Sequence, residues 1–306
     1  MNHWSILGSG VSALCVATAL HAQGESVEMI VSDRPSASHF AGGMLAPFCE
    51  AEAAPHFKAL HDFDAIAWWQ RHTHQVVQNG TLVLAAPRDQ AELTRFAART
   101  QQHQTVEPAK FEADLAHFQQ GLWFKDEAHL DPRLALAELK NNLIQQGVAI
   151  HTGKPTGKII DCRGIYAQDQ VSLRAVRGEM LILSQPELHF SRPIRFLHPR
   201  FPCYLVPRQD GQFMLGATMI ESASRQPISV RSTIELLNAA YAIHPAFAEA
   251  HVVETGVGLR PAYADNIPKI HYQDQIFYVN GMHRHGFLCA PWLAEQLIQH
   301  IAGCST

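Results

Sequence analysis

The sequence predicts an α/β fold in which two lobes are each assembled from separated segments of the chain. Three observations carry this expectation. Residues 3–31 read as strand, glycine turn, helix and strand, the first half of a doubly wound parallel sheet. A helix-to-strand return of the same kind recurs over residues 131–151. Residues 177–218 then switch to short β-rich runs joined by tight turns, the pattern of an antiparallel sheet. A length of 306 residues suits two lobes better than one.

Taken in order, residues 4–7 are a short buried strand, and residues 11–23 a helix that stops at Gly24, a residue suited to a helix C-terminus. Residues 27–31 return as the second strand. A loop of small residues follows at 36–47 and contains A-G-G-M-L-A-P. Residues 60–77, with Trp68 and Trp69, read as an amphipathic helix. Strands are expected at 80–86 and 122–130 around a polar helix at 90–101. Asp131 as N-cap and Pro132 as first helical residue open another helix, which Gly147 ends before a strand at 148–151. A hairpin is expected about Asp210-Gly211, a helix at 232–242, a strand at 252–256 and a closing helix at 293–301.

Composition narrows the function classes. A net charge of -4 with 17% charged residues leaves no basic stripe for nucleic acid. No window approaches about 18 uninterrupted apolar residues, so a membrane span is not expected. The apolar N-terminus lacks an early Lys or Arg and is interrupted by Gly8 and Gly10, which argues against an export signal and for a cytoplasmic protein. The cysteines Cys15, Cys49, Cys162, Cys203, Cys289 and Cys304 form no C-x-x-C pair, which fits a reducing compartment.

Two segments near the ends carry chemistry. Gly8, Gly10 and Ala13 occupy dinucleotide fingerprint positions directly after the first strand: a tight turn, a close backbone approach to pyrophosphate, and helix-on-strand packing. An ordinary tight turn is the alternative. Asp33 is the nearest acid for a ribose, or a solvated loop residue. Arg260, framed by Gly258 and Pro261, suits a carboxylate, against the usual fate of a surface ion pair. Glycines ahead of Phe287 let backbone amides approach a flat or anionic ligand. On the residues alone, Tyr204 reads as a half-buried strand residue, Met44 and Met219 as core, and Cys162 as a buried thiol. His283 and His285 would share one face of a strand but lack a third ligand, so no metal is expected.

These segments, in order, resemble the flavin-dependent D-amino-acid oxidase superfamily over nearly the whole chain. The match runs from the N-terminal fingerprint through A-G-G-M-L-A-P (41–47), E-A-H-L-D-P-R (127–133), C-Y-L-V-P-R (203–208), G-A-T-M (216–219), G-L-R-P (258–261) and R-H-G-F-L-C-A-P (284–291). The resemblance implies a Rossmann-type FAD-binding domain (1–77, 131–177 and 262–306) interleaved with an antiparallel-sheet substrate domain (78–130 and 178–261). It implies FAD held by Gly8, Gly10, Val11, Ser12, Ala13, Asp33, His39, Ala41, Gly42, Gly43, Met44, Leu45, Cys162 and Gly164, and by Gly281, His283, Arg284, His285, Gly286, Phe287 and Leu288. Arg260 would pair with a substrate carboxylate and Tyr204 support it, with Met44, Met219 and Arg284 lining a small pocket.

The implied reaction is oxidation of the C–N bond of glycine, sarcosine, D-alanine or a similar amino acid, with dioxygen as acceptor, in the thiazole branch of thiamine biosynthesis. A larger D-amino acid or N-methyl amine, or an FAD-binding module without turnover, are the alternatives, and partner enzymes of that branch or a homo-oligomer remain open. The chain departs from the family in three places. Val31 stands where Glu is common, Gly281-Met282-His283-Arg284-His285-Gly286 replaces G-H-[YF]-R-N-G, and residues 154–161 are shorter than the usual adenine-side meander, which implies a more open adenine pocket.

Overall fold

The computed structural model describes residues 2–54, 59–168 and 171–303. Among them, six strands form one sheet in the order Lys269–Gln273, Ile276–Asn280, Lys158–Asp161, His3–Leu7, Ser26–Ile30 and Ala149–His151. All its pairings are parallel except the Lys269–Gln273 edge. The helix Val11–Ala22 crosses between the first two strands and is apolar on nearly every side, because it packs against both the sheet and the helix Gly286–Gly303. At the edge of this sheet Glu28 is almost fully buried. Its carboxylate accepts from Ser5, from the amide and hydroxyl of Thr156, and from His151, which ties four segments at one point.

The second sheet is mostly antiparallel. Its strands run Ile220–Glu221, Arg174–Ser184, Gln212–Gly216, Cys203–Pro207, Ile194–Leu197, Thr81–Ala85, Gly121–Phe124 and Gln104–Val106, with His251–Ala262 paired to Arg174–Ser184. The chain thus adopts the mixed α/β architecture expected from its pattern. No described helix is long and apolar enough to cross a membrane.

Four elements differ from expectation. The 60–77 helix is two short ones, Ala59–Asp62 and Ala65–His72, and part of the expected span lies next to residues outside the description. The 122–130 strand breaks into Gly121–Phe124 and Ala128–His129, because Lys125, Asp126 and Glu127 turn the chain and bring Glu127 inward, where it accepts from the Cys49 amide at 2.6 Å. The 252–256 strand is extended to His251–Ala262, so Arg260 sits within a strand, opposite Val176. The closing helix begins at Gly286 rather than 293 and carries Pro291 inside it.

Pro291 survives there for a local reason. A proline has no N–H to offer the carbonyl four residues earlier, here that of Phe287. The indole of buried Trp69 supplies the missing donor, with its Nε1 2.8 Å from the Phe287 carbonyl oxygen. Trp69→Phe should therefore cost about 1–3 kcal/mol, the penalty of an unpaired buried acceptor. Adding Pro291→Ala, which restores a helical donor, should recover part of it. Denaturant midpoints of both single variants and the double variant check this, and simple additivity would refute the pairing.

Candidate active site

A cavity of about 1140 Å³ opens between the two sheets. At one end it is walled by the turn after the first strand, by residues 34–38 and by residues 162–166. Gly8 has φ +129°, and a Cβ there would lie 2.7 Å from the Cys162 carbonyl oxygen, so only glycine allows this approach. The helix that follows has no side-chain cap of its own; its first amide, on Val11, is met by Ser38 Oγ at 3.1 Å. A helix N-terminus open to a cavity behind a glycine turn suits a diphosphate. Gly10, Ser12, Cys162 and Gly164 line the same end.

The middle of the cavity is walled by Ala41, Gly42, Gly43 and Met44 and by the start of the last helix, Gly286, Phe287 and Leu288. Arg208 fixes the first of these loops: it is buried, donates to the Gly42 carbonyl at 2.9 Å, and lies 3.3 Å from Asp131, the N-cap of the following helix. Burial lowers the Arg208 pKa to about 10.

The far end is set by Arg260. The guanidinium lines the cavity beside Gly178, where any side chain would collide with it. It donates to the Thr218 carbonyl at 3.0 Å and has no carboxylate within ion-pair distance among the described residues. Burial, and then the charge of Arg284, push its pKa down to about 10, still protonated at neutral pH. His283 is driven down to about 3, first by burial and then by Arg260, His285 and Arg284, so it is neutral.

A cluster absent from the sequence-based expectations lies beside Arg260. The Glu50 carboxylate, 4% exposed, gathers Arg195 at 3.0 Å, Arg284 at 2.9 Å, the Tyr204 hydroxyl at 2.6 Å and the His285 ring at 3.3 Å. Burial opposes its charge, but Arg284, His285 and Arg195 together hold its pKa well below the carboxylate range. Arg195 also reaches Glu52 at 3.5 Å. The neighbouring Glu127 behaves in the opposite way, with burial raising its pKa to about 8. The signal for the cluster was present: Arg195 interrupts the apolar run I-R-F-L, and an arginine on a buried strand requires an acid.

Tyr204 is repositioned by this cluster. Its hydroxyl donates to Glu50 and accepts from Arg195 at 3.0 Å, so its proton is already committed. Met44, Arg284 and Met219 line the cavity, Met219 being 57% exposed at the mouth. Several expected cofactor residues lie off the wall. Asp33 and His39 face solvent, because the cavity side of their loop is taken by Arg34, Ser36, Ser38 and Phe40. Leu45 and Ala13 are fully buried in the core beneath it. Gly281 turns the chain against the Tyr263 ring, and His285 sits behind the wall on Glu50. His283 and His285 do not alternate on a strand: His283 is left-handed at φ 49°, and His285 immediately precedes the last helix.

Comparison with known proteins gives the family and the fold. A family model described as FAD dependent oxidoreductase matches residues 3–300. A protein of Rhizobium etli that carries the name thiamine biosynthesis oxidoreductase ThiO is 45% identical over 96% of this chain and 94% of its own length. A bifunctional ThiO/ThiG protein of Synechocystis is 26% identical over 94% of this chain but only 49% of its own. Among solved structures, glycine oxidase from Geobacillus kaustophilus superposes with a TM-score of 0.80 at 18% identity, covering 98% of this chain and 94% of that one.

Removing the hub acid has a defined cost. Glu50→Ala would leave the buried Arg195 with only Glu52, at 3.5 Å, and the half-buried Arg284 with no carboxylate, and should destabilise the protein by about 3–5 kcal/mol. Glu50→Gln, which keeps an acceptor but not the charge, should cost less. Equilibrium denaturation checks the order, and equal midpoints for wild type and both variants would remove Glu50 from the structural role.

Proposed function

The chain belongs to the FAD-dependent oxidoreductase family, and on that premise we propose that it oxidises the C–N bond of glycine or a similarly small amino acid. The reading is supported above all by one observation, the unpaired guanidinium of Arg260 in the cavity wall. Arg195 and Arg284 are answered by Glu50, and Glu52 is shared between Arg195 and Arg99, whereas Arg260 has no carboxylate within ion-pair distance among the described residues. Glu127, with its pKa near 8, adds little negative charge at neutral pH. That balance suits a substrate with a single carboxylate.

In this proposal Arg260 holds the carboxylate, and the α-carbon is aimed at the cofactor beside Gly42–Met44. Glu50 holds Arg284 and Tyr204 in place as the rigid side wall, and Tyr204 supports the site through that wall rather than by a bond of its own to the substrate. Met44 and Met219 limit the pocket, and the neutral His283 adds no competing cation. Gly8, Gly10, Gly42–Met44 and Gly286–Leu288 would hold FAD, which would supply a two-electron acceptor for the α-hydrogen as hydride, with dioxygen as the final acceptor and hydrogen peroxide as its product. The amine gives up a proton as the C=N bond forms, and water then releases glyoxylate and ammonia from the imine. No side-chain base is needed at the α-carbon, because its hydrogen leaves with its electron pair. Rate enhancement then comes from positioning and electrostatics.

We further propose that the product feeds the thiazole branch of thiamine biosynthesis. Support comes from the names of the 45% identical relative and of those in which ThiO and ThiG share one chain. The test is the flavin absorbance of the purified holoenzyme mixed anaerobically with glycine, sarcosine or D-alanine in parallel, followed by peroxide detection in air. Bleaching by glycine supports the proposal; bleaching only by larger or N-methylated amines transfers it to that class; bleaching by none argues for an FAD-binding module without turnover. Arg260→Ala should lower kcat/KM for the preferred substrate by about 2–5 kcal/mol of transition-state stabilisation while FAD stays bound. An unchanged kcat/KM would take Arg260 out of the site.

A further inference from the structure

The adenosine end of the cavity lacks the acid that the end of the second strand commonly provides: Val31 stands there, and Asp33 faces solvent. What the structure places there is cationic and aromatic. Tyr166, in the short helical turn Gly164–Ala167 that follows Cys162, lines the cavity. The guanidinium of Arg34, from the loop after the second strand, lies over its ring at 5.0 Å from the centroid. The guanidinium of Arg225 lies over the same ring at 4.4 Å and donates to the Tyr166 hydroxyl at 2.9 Å. Both arginines line the cavity, and neither has a carboxylate within ion-pair distance among the described residues.

Arg225 comes from far away in the chain. It sits in the connection between the strand Ile220–Glu221 of the nine-stranded sheet and the helix Val230–Ile243, whereas Tyr166 and Arg34 lie in segments that leave strands Lys158–Asp161 and Ser26–Ile30 of the other sheet. An exposed arginine with a mobile side chain gains little from a cation–π contact and one hydrogen bond, so this crossing alone does not account for two unpaired guanidiniums at one spot. A ligand with two negative charges would. The diphosphate of FAD carries two, and the glycine turn at Gly8 and Gly10 beside Cys162 is where the fingerprint sets it.

We propose that Arg34 and Arg225, stacked against Tyr166, form a clasp over the adenosine diphosphate half of FAD. Arg225 is the movable arm and links the second sheet to cofactor retention. In place of an acid binding the ribose hydroxyls, this chain retains FAD by charge on the phosphates, and its retention depends correspondingly on salt. Arg34 anchors the cofactor side and orients the ring on which Arg225 closes.

The experiment follows release of FAD from diluted holoenzyme by recovery of flavin fluorescence, at low and at high ionic strength. Arg225→Ala and Arg34→Ala should each speed release roughly tenfold at low salt, the equivalent of one charge-assisted contact, and the differences from wild type should shrink at high salt. Arg225→Glu should release faster than Arg225→Ala, because it places a like charge beside the phosphates. Tyr166→Phe, which keeps the ring and loses the hydroxyl, should fall between wild type and Arg225→Ala. Wild-type release from Arg225→Ala at low salt would overturn the clasp, and so would equal release from the Ala and Glu variants. Arg225 is exposed and outside the core, so loss of folding does not cloud the comparison.

Discussion

The arrangement of the active cavity depends on one buried carboxylate. Glu50 lies next to Cys49, at the end of the loop that carries Met44 and Leu45, and its oxygens collect groups from three other parts of the chain: Arg195 and Tyr204 from the second sheet, and Arg284 and His285 from the segment before the last helix. A buried charge is tolerated only when paired, so each of these side chains is held by the need of the others. The loop, the sheet and the helix start are thereby fixed relative to each other at the cavity wall. The same pairing makes Arg260 distinctive. With its neighbours neutralised and its own charge unanswered, it gives this end of the wall an electrostatic reason to receive an anion.

A second constraint keeps the last helix where that cluster needs it. Pro291 would normally end or bend a helix, and its cost is contained because Trp69 satisfies the Phe287 carbonyl. The helix can then begin at Gly286, immediately after Arg284 and His285, with its amide end towards the cavity. Moving that start by even one turn would shift Arg284 by about 5 Å and separate it from Glu50. Packing in the Trp69–Phe287 region and electrostatics at Glu50 are thus two parts of one alignment, although Trp69 and Glu50 lie in different short helices.

How much of this was legible in the sequence follows from the range of the forces involved. The strand–turn–helix at Gly8, the Asp131-Pro132 helix start and the β-rich middle are set by local sterics and periodicity, and they could be read directly. The start of the last helix could not, because Pro291 is compatible with a helix only through a tryptophan more than two hundred residues away. The strand carrying Arg260 was read too short, since G-L-R-P resembles a turn until its long pairing with Arg174–Ser184 is known. Arg260 itself could be singled out, because an arginine framed by Gly258 and Pro261 has little local use, and the structure places it in the cavity wall. Glu50 was not: its meaning lies entirely in residues from 195 to 285, and a lone Glu after a cysteine reads as surface. Asp33 and His39 show the converse: their exposure depends on which side chains of one loop turn inwards, and Arg34, Ser36, Ser38 and Phe40 take the cavity side.

The interleaved course of the chain gives the cofactor a part in stability as well as chemistry. The cavity wall takes residues from both sheets, and the contacts that cross it, at Glu50 and at Tyr166, are polar rather than a continuous apolar core. The Glu50 cluster is already buried, whereas the Tyr166–Arg225 contact is partly exposed to water and contributes little net free energy until a ligand excludes it. A cofactor that spans the cavity therefore binds the folded chain alone and adds RT ln(1 + [L]/Kd) to its stability, about 2.7 kcal/mol at a hundredfold excess over Kd. Residues that join the two sheets, Glu50 and Tyr166 among them, also line the cavity, so a ligand that fills it would add to the alignment of the two sheets.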